Sequence, residues 1–217
     1  MSVIPIGLSV KLAESSSEIS SKIIQALLPD VTKYFNGISA ELTQSIPDII
    51  IKYITQQPEY TALISGSLQY EFGLPDPANR VNEILLSIKS GYIVKEKPVT
   101  AKSSSVIGGL KIQMIKKDFS DLLSLGSATL TTEKGDQLNW LQWLLLEGDS
   151  VIVSDHIFVF GPSPFSRTGM GLMRESVGGF WRVPPEYAGS INNNWITRAI
   201  EAASSEIDTT IQKILQK

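Results

Sequence analysis

The chain reads as an α+β protein: an N-terminal helical layer and a long C-terminal helix packed on a mainly antiparallel sheet. Three observations carry that expectation. Apolar residues recur at helical spacing up to about residue 90, the period then shortens to the alternation of strands, and helical spacing returns from Asn194 onward.

The N-terminal third predicts helices broken by proline. Ser15-Ser16-Ser17-Glu18 supplies a start, followed by Ile19, Ile23, Ile24, Leu27 and Leu28 on one stripe. Pro29 predicts the first turn of a second helix, carried on by Val31, Tyr34, Phe35, Ile38 and Leu42. Pro47 predicts another interruption, with Ile49, Ile50, Tyr53 and Ile54 forming a short piece after it. Pro58 opens a further turn through Tyr60, Leu63 and Ile64. Gly73-Leu74-Pro75-Asp76-Pro77 predicts a stop, and Val81, Ile84, Leu85 and Ile88 one more short helix ending near Gly91.

Beyond it, Tyr92 to Val99 and Ile107 to Ile115 alternate like strands, joined by a polar tip at Lys102-Ser103-Ser104-Ser105. Gly108-Gly109 inside the second strand predicts a bulge or a close backbone approach. Ala128 to Thr132 predicts a third strand, closed by the turn Lys134-Gly135-Asp136. Leu138 to Glu147, with Trp140, Leu141, Leu144 and Leu145, predicts a compact helix buried on the sheet, ended by Gly148-Asp149. Val151 to Val153 and Ile157 to Phe160 predict a hairpin around Ser154-Asp155-His156. The final helix is expected from about Asn194 to Leu215, with Trp195, Ile196, Ala199, Ile200, Ala203, Ile207, Ile211 and Ile214 on its apolar stripe. That stripe covers about three heptads without regular flanking charge pairs, which favours packing within the chain over a coiled coil. The change of period divides a helical part, 1–90, from an α+β part, 91–217. No long linker separates them, so one packed unit is expected.

The 217 residues are 42% apolar and 19% charged, with a net charge of -3. That balance suits a packed core, and the weak acidity argues against a primary nucleic-acid binder. With no cysteine in the sequence, disulfides, thiolate zinc sites and cysteine nucleophiles are excluded. Met1 to Val10 is apolar but lacks the basic start of a signal peptide, and no uncharged run approaches the roughly 20 residues of a membrane span. A soluble intracellular chain is expected, with the apolar arm 1–10 lying on its own sheet or on a neighbour.

Chemistry contributes mainly negative signals. His156 is the one histidine, so a nucleophilic triad or a histidine metal site would have to pass through it; a turn residue at the surface is the simpler reading. No Gly-x-Ser-x-Gly elbow occurs. Thr168-Gly169-Met170-Gly171-Leu172-Met173 lacks the third glycine of a dinucleotide loop, and no Walker sequence is present. The carboxylates Asp118, Asp121, Asp136, Asp149, Glu175 and Glu186 are scattered, and none nominates a catalytic pair. No catalytic, cofactor-binding or metal-binding residue is expected, and no cofactor. Arg167, Arg174, Arg182 and Arg198 make the C-terminal region locally basic. They read either as solvated charges or as a surface for an acidic partner, with Arg167, Arg174 and Arg182 the partner-binding candidates. The stretch from Pro162 to Arg174 is a long loop, either loosely ordered or projecting to dock on a neighbour.

Tyr187-Ala188-Gly189, followed by Asn194-Trp195-Ile196-Thr197-Arg198-Ala199 leading into the last helix, resembles the ending of the head–tail joining and tail-completion proteins of tailed bacteriophages. Ser65-Gly66-Ser67-Leu68 and Ser166-Arg167-Thr168-Gly169 resemble short turn motifs of phage neck and minor virion proteins, and Leu138-Asn139-Trp140-Leu141-Gln142-Trp143-Leu144-Leu145 with the Ser-Arg-Thr-Gly loop resembles uncharacterised structural proteins of contractile- or long-tailed phages. The resemblance covers the C-terminal part; the helices before residue 91 depart from the compact family form. It implies a non-enzymatic virion protein, assembled in the host cytoplasm as a homo-oligomeric ring at the neck. Its implied partners are copies of itself and other neck or tail proteins, with passing contact to DNA in a channel and none with membrane. A small hydrolase with an unrecognised site and a capsid-decorating binding module are the competing expectations.

Overall fold

A computed structural model describes residues 13–102, 105–132 and 135–216. The expectations for the arm 1–10, for Ser103 and Ser104 at the hairpin tip and for Lys134 lie outside the described residues.

The α+β class is what the structure has: a long N-terminal helix, a long C-terminal helix, and strands in antiparallel pairs. Helices are α1 (Ser16–Thr55), α2 (Pro58–Ser65), α3 (Ser67–Glu71), α4 (Pro77–Gly91), α5 (Ser120–Leu123), α6 (Trp140–Leu145) and α7 (Trp195–Leu215). Strands are β1 (Ile93–Lys102), β2 (Ser105–Gln113), β3 (Leu130–Thr131), β4 (Gln137–Leu138), β5 (Val153–Phe160) and β6 (Gly171–Trp181). They form three two-stranded sheets: β1 with β2, β3 with β4, and β5 with β6.

The chain divides into two compact units. The first comprises residues 1–40 and 94–111, with the early turns of α1 and most of the β1–β2 hairpin. Ser15 caps α1 reciprocally: its N–H donates to Glu18 Oε2 (2.8 Å), and its Oγ accepts from the Glu18 N–H (3.3 Å). The bond from the Ser15 backbone holds the Glu18 carboxyl below its usual range. Ile23, Leu27 and Tyr34 are exposed on α1. Gly108 makes the expected close approach, since a Cβ there would lie 3.0 Å from Val99 Cα.

The second unit, residues 41–93 and 112–217, holds most of the core. Helix α1 enters it without the break expected at Pro47, just as it passes Pro29 unbroken. Leu42, Ile46, Ile50 and Ile54 are all buried at four-residue spacing on either side of Pro47. A break there would rotate half of that stripe out of the core. Burying each such side chain contributes about 1.5–3 kcal/mol, which together outweighs the roughly 3 kcal/mol cost of an interior proline. Pro29 has no comparable burial beside it to explain its passage. The α4 stripe of Val81, Ile84, Leu85 and Ile88 is buried as expected. Arg80 fastens α4 to the 3-10 turn Gly126–Ala128 and its exit, donating to Thr129 O (2.9 Å) and Ser127 O (3.3 Å). Trp140 Nε1 donates to the same Ser127 carbonyl at 2.9 Å.

Helix α6 packs against this turn and α7. Its Trp140, Leu141, Leu144 and Leu145 are fully buried, as are Trp195, Ile196 and Ala199 of α7. Asn194 starts α7 with a capping box: Oδ1 accepts from the N–H groups of Ile196 (3.1 Å) and Thr197 (3.0 Å), and Thr197 Oγ1 accepts from the Asn194 N–H (2.8 Å). Tyr187-Ala188-Gly189 lies against the end of α6, where the Gly148 N–H donates to Gly189 O (3.0 Å). A Cβ on Gly189 would sit 1.8 Å from Leu144 O, so no other residue fits this crossing.

Two expectations about strands need correction. Val151–Val153 and Ile157–Phe160 do not pair with each other. Residues Val153–Phe160 form one strand, β5, whose partner is β6. Ser154-Asp155-His156 is an irregularity within that strand, with Asp155 left-handed at φ 54°, rather than a turn. The third strand is shorter than Ala128–Thr132: Gly126–Ala128 is a 3-10 turn and only Leu130–Thr131 pairs, with Leu138 and Gln137.

Candidate functional site

The β5–β6 ribbon builds the most unusual surface of the second unit. Val153 pairs with Trp181 and Ser154 with Phe180; pairing then resumes at His156 with Glu175. One residue of β5 thus faces four of β6, and Ser176-Val177-Gly178-Gly179 is pushed out of the ladder. Asp155 Oδ1 holds the excursion by accepting from the Gly178 N–H at 2.9 Å. Val177 at its tip is 102% exposed. Cross-strand partners share a face, and Trp181, Val153, Phe158 and Met173 turn inward to line a cavity. Phe180 and Ile157 therefore point the other way, where both are exposed. The excursion folds back close to this strand: a Cβ on Gly179 would lie 3.0 Å from Ile157 Cγ2.

The inward face lines a half-open cavity of about 410 Å³ with α3, α6 and the β3–β4 hairpin. Its walls include Tyr70, Phe72, Trp143, Phe158, Phe165 and Trp181. Phe72 meets the rings of Trp143 (6.1 Å) and Trp181 (5.7 Å, edge-on), and Trp143 meets Trp181 at 6.3 Å. These distances suit edge-to-face aromatic packing, so the walls hold one another in place. Trp181 Nε1 donates to Glu71 Oε2 at 2.8 Å, tying the end of β6 to α3. Burial pushes the Glu71 carboxyl above the usual carboxylate range; the Trp181 hydrogen bond offsets part of the rise, and nearby Glu186 adds to it.

The loop from Gly161 to Met170 forms the rim, and it is braced internally. Ser166 N–H donates to Ser163 O (3.1 Å), Gly169 N–H to Ser166 O (3.1 Å), and Ser163 N–H to Gly169 O (3.0 Å). This places Phe165 at the mouth with 92% of its surface in solvent. It also lays Arg167 across the Gly73 turn, with NH1 donating to Gly73 O at 3.3 Å. Gly73 has φ +62°, and a Cβ there would lie 3.6 Å from the guanidinium carbon.

The three candidate arginines are not brought together. Arg167 is on the cavity rim. Arg174 pairs with Ile157 on the opposite face of the ribbon and is exposed. Arg182 follows Trp181 and is half-buried. Arg198 is an internal strut: it forms an ion pair with Glu59, whose side chain is fully buried, and donates to Asn193 Oδ1 at 2.9 Å. His156 lies half-buried on β5, with Nδ1 2.9 Å from Ser154 O. Among the described residues no three His, Asp or Glu side chains are placed to hold a metal ion, and no helix is long and apolar enough to cross a membrane. Glu71, Trp143 and Phe165 were not among the residues the sequence nominated. Their only linear signal is aromatic density around Trp140–Trp143 and Phe158–Phe165, which core packing explains equally well. No family model, curated protein or solved structure matches this chain.

Proposed function

We propose that the chain is a non-enzymatic structural subunit that assembles with copies of itself into a ring, and that this ring serves at the head–tail interface of a tailed phage, as a neck, tail-completion or tail-terminator component. The observation that carries self-assembly is the outer face of the β5–β6 ribbon. Ile157 and Phe180 are exposed there, with Val177 exposed at the tip of the excursion, and among the described residues the two strands of this sheet pair with no third strand. Among the described residues nothing adds a strand to either outer edge of the ribbon, and an apolar face beside an open edge is a template for another chain. A second copy docking its ribbon side on a different surface of the first makes a head-to-tail contact, which closes into a ring when the rotation is right. Arg174, beside Ile157, would then meet acidic groups on the neighbouring subunit. The station at the phage neck rests on the C-terminal sequence resemblance.

Negative-stain electron micrographs of the purified full chain test this reading. Rings with a central hole are expected. A monomer that persists at high micromolar concentration would remove self-assembly, and with it the neck assignment.

A further inference from the structure

We propose that the aromatic cavity between α3, α6 and the β5–β6 ribbon is a binding site for a neutral saccharide. At about 410 Å³ it falls within the range of about 300–1,000 Å³ typical of small-molecule sites. Its walls include Tyr70, Phe72, Trp143, Phe158 and Trp181; of these, Phe72, Trp143 and Trp181 are locked by mutual contact and by the Trp181–Glu71 hydrogen bond. Such walls suit a ligand with an apolar face, and a pyranose ring offers one in its axial C–H groups.

The polar groups decide the charge of that ligand. The acidic residues Glu71 and Asp136 border the cavity, and so does Arg167, whose guanidinium lies over Gly73. A guanidinium carries five N–H donors; of these, one is directed at Gly73 O. A cation in the cavity would sit beside Arg167, and an anion beside two carboxylates. A neutral polyol suits both signs at once, because each hydroxyl both donates and accepts: to the carboxylates it gives its proton, and from the guanidinium it accepts. Phe165 adds the second observation. A phenyl ring 92% exposed stands at the mouth, on a loop held by three backbone hydrogen bonds, where its faces are free to stack on a ligand. There it extends the aromatic wall outward, as a platform for a further sugar ring. The site lies on the inward side of the ribbon and does not depend on ring assembly.

Saturation-transfer-difference NMR on the full chain tests this, with methyl α-glucopyranoside, methyl β-galactopyranoside, N-acetylglucosamine and maltose as probes, and tetramethylammonium and acetate as charged controls. Saturable transfer to the ring protons of at least one saccharide is expected, with a change in tryptophan fluorescence from Trp143 and Trp181. Phe165→Ala and Glu71→Gln should each weaken that binding about tenfold while leaving the melting temperature unchanged; glutamine retains an oxygen to accept from Trp181. Absence of transfer to all four saccharides, wild-type affinity in either variant, or tighter binding of tetramethylammonium or acetate each overturns the proposal.

Discussion

The α6–α7 junction and the β5–β6 ribbon belong to the same compact unit and are built on opposite terms. At the junction, seven side chains from Trp140 to Ala199 are fully buried, and the backbones cross so closely that Gly189 leaves no room for a Cβ. Asn194 caps α7 and also sends its amide to Ser190 O (2.9 Å) and Leu145 O (3.3 Å). The Trp195 indole N–H is the exception there, buried without a partner. On the ribbon, by contrast, large apolar side chains stand in water and, among the described residues, no third strand pairs with its edges. The junction is optimised against its own chain. Valine and phenylalanine exposed on the ribbon contribute little to the subunit's own packing, and the proposed contact between copies would cover them.

The sharpest way to break the comparison is to disturb the junction. Gly189→Ala forces a Cβ into contact with the Leu144 carbonyl and Asn194 Cβ, at 1.8 and 2.9 Å in the present backbone. A loss above about 4 kcal/mol is expected, seen as failure to give a cooperative urea transition by circular dichroism. Leu144→Ala, at a fully buried position, should cost roughly 2–5 kcal/mol. A loss under about 1 kcal/mol in the leucine variant would mean that the junction is not tightly packed.

A smaller effect is expected where α7 meets α2. Glu59 is fully buried, its Oε2 has no hydrogen-bond partner, and Arg198 is its counter-charge. Removing one partner of a buried pair strands the other charge, which typically costs about 3–5 kcal/mol. Arg198 is partly exposed, so Arg198→Ala should fall at the low end, about 3 kcal/mol. The pair itself is a different matter. Replacing both by leucine should recover much of that loss, since ion-pair desolvation often offsets the attraction. A double variant as unstable as the single one would show that the pair contributes net stability.

What was legible in the sequence follows the same division. The α7 helix could be placed from about Asn194 because its apolar stripe is local periodicity, and the structure adds a capping box of Asn194 and Thr197 at that start. The α4 stripe was legible for the same reason. Pro47 misled because its local preference is outweighed by burial that involves other elements. The β6 strand was missed because Gly171, Gly178 and Gly179 dilute its alternation and an excursion of four residues interrupts its register. The aromatic cavity was illegible because its contacts are non-local: Trp181 and Glu71 are 110 residues apart. Of the three nominated arginines, Arg167 does line it, although the sequence suggested a charged partner rather than a mixed-sign pocket.

The smallest effect on stability should come from the ribbon, and there the comparison is sharpened most. Val177 makes no use of its side chain within the subunit, being fully exposed at the tip of the excursion, and Phe180 points outward opposite Ser154. Replacing both by serine removes apolar surface from water without opening a cavity, so the subunit's stability should change by no more than about 0.5 kcal/mol per site. The excursion itself should survive, because it is held by the Asp155–Gly178 hydrogen bond rather than by either side chain. Assembly should respond quite differently. If a neighbouring copy covers this face, the double variant loses the apolar contact on every interface of the ring, and sedimentation should show dissociation to subunits at concentrations where the unaltered chain is assembled. Rings that form equally well from the double-serine variant would mean that the ribbon's outer face is not the contact between copies, and that the exposed Ile23, Leu27 and Tyr34 of α1 are the next surface to alter.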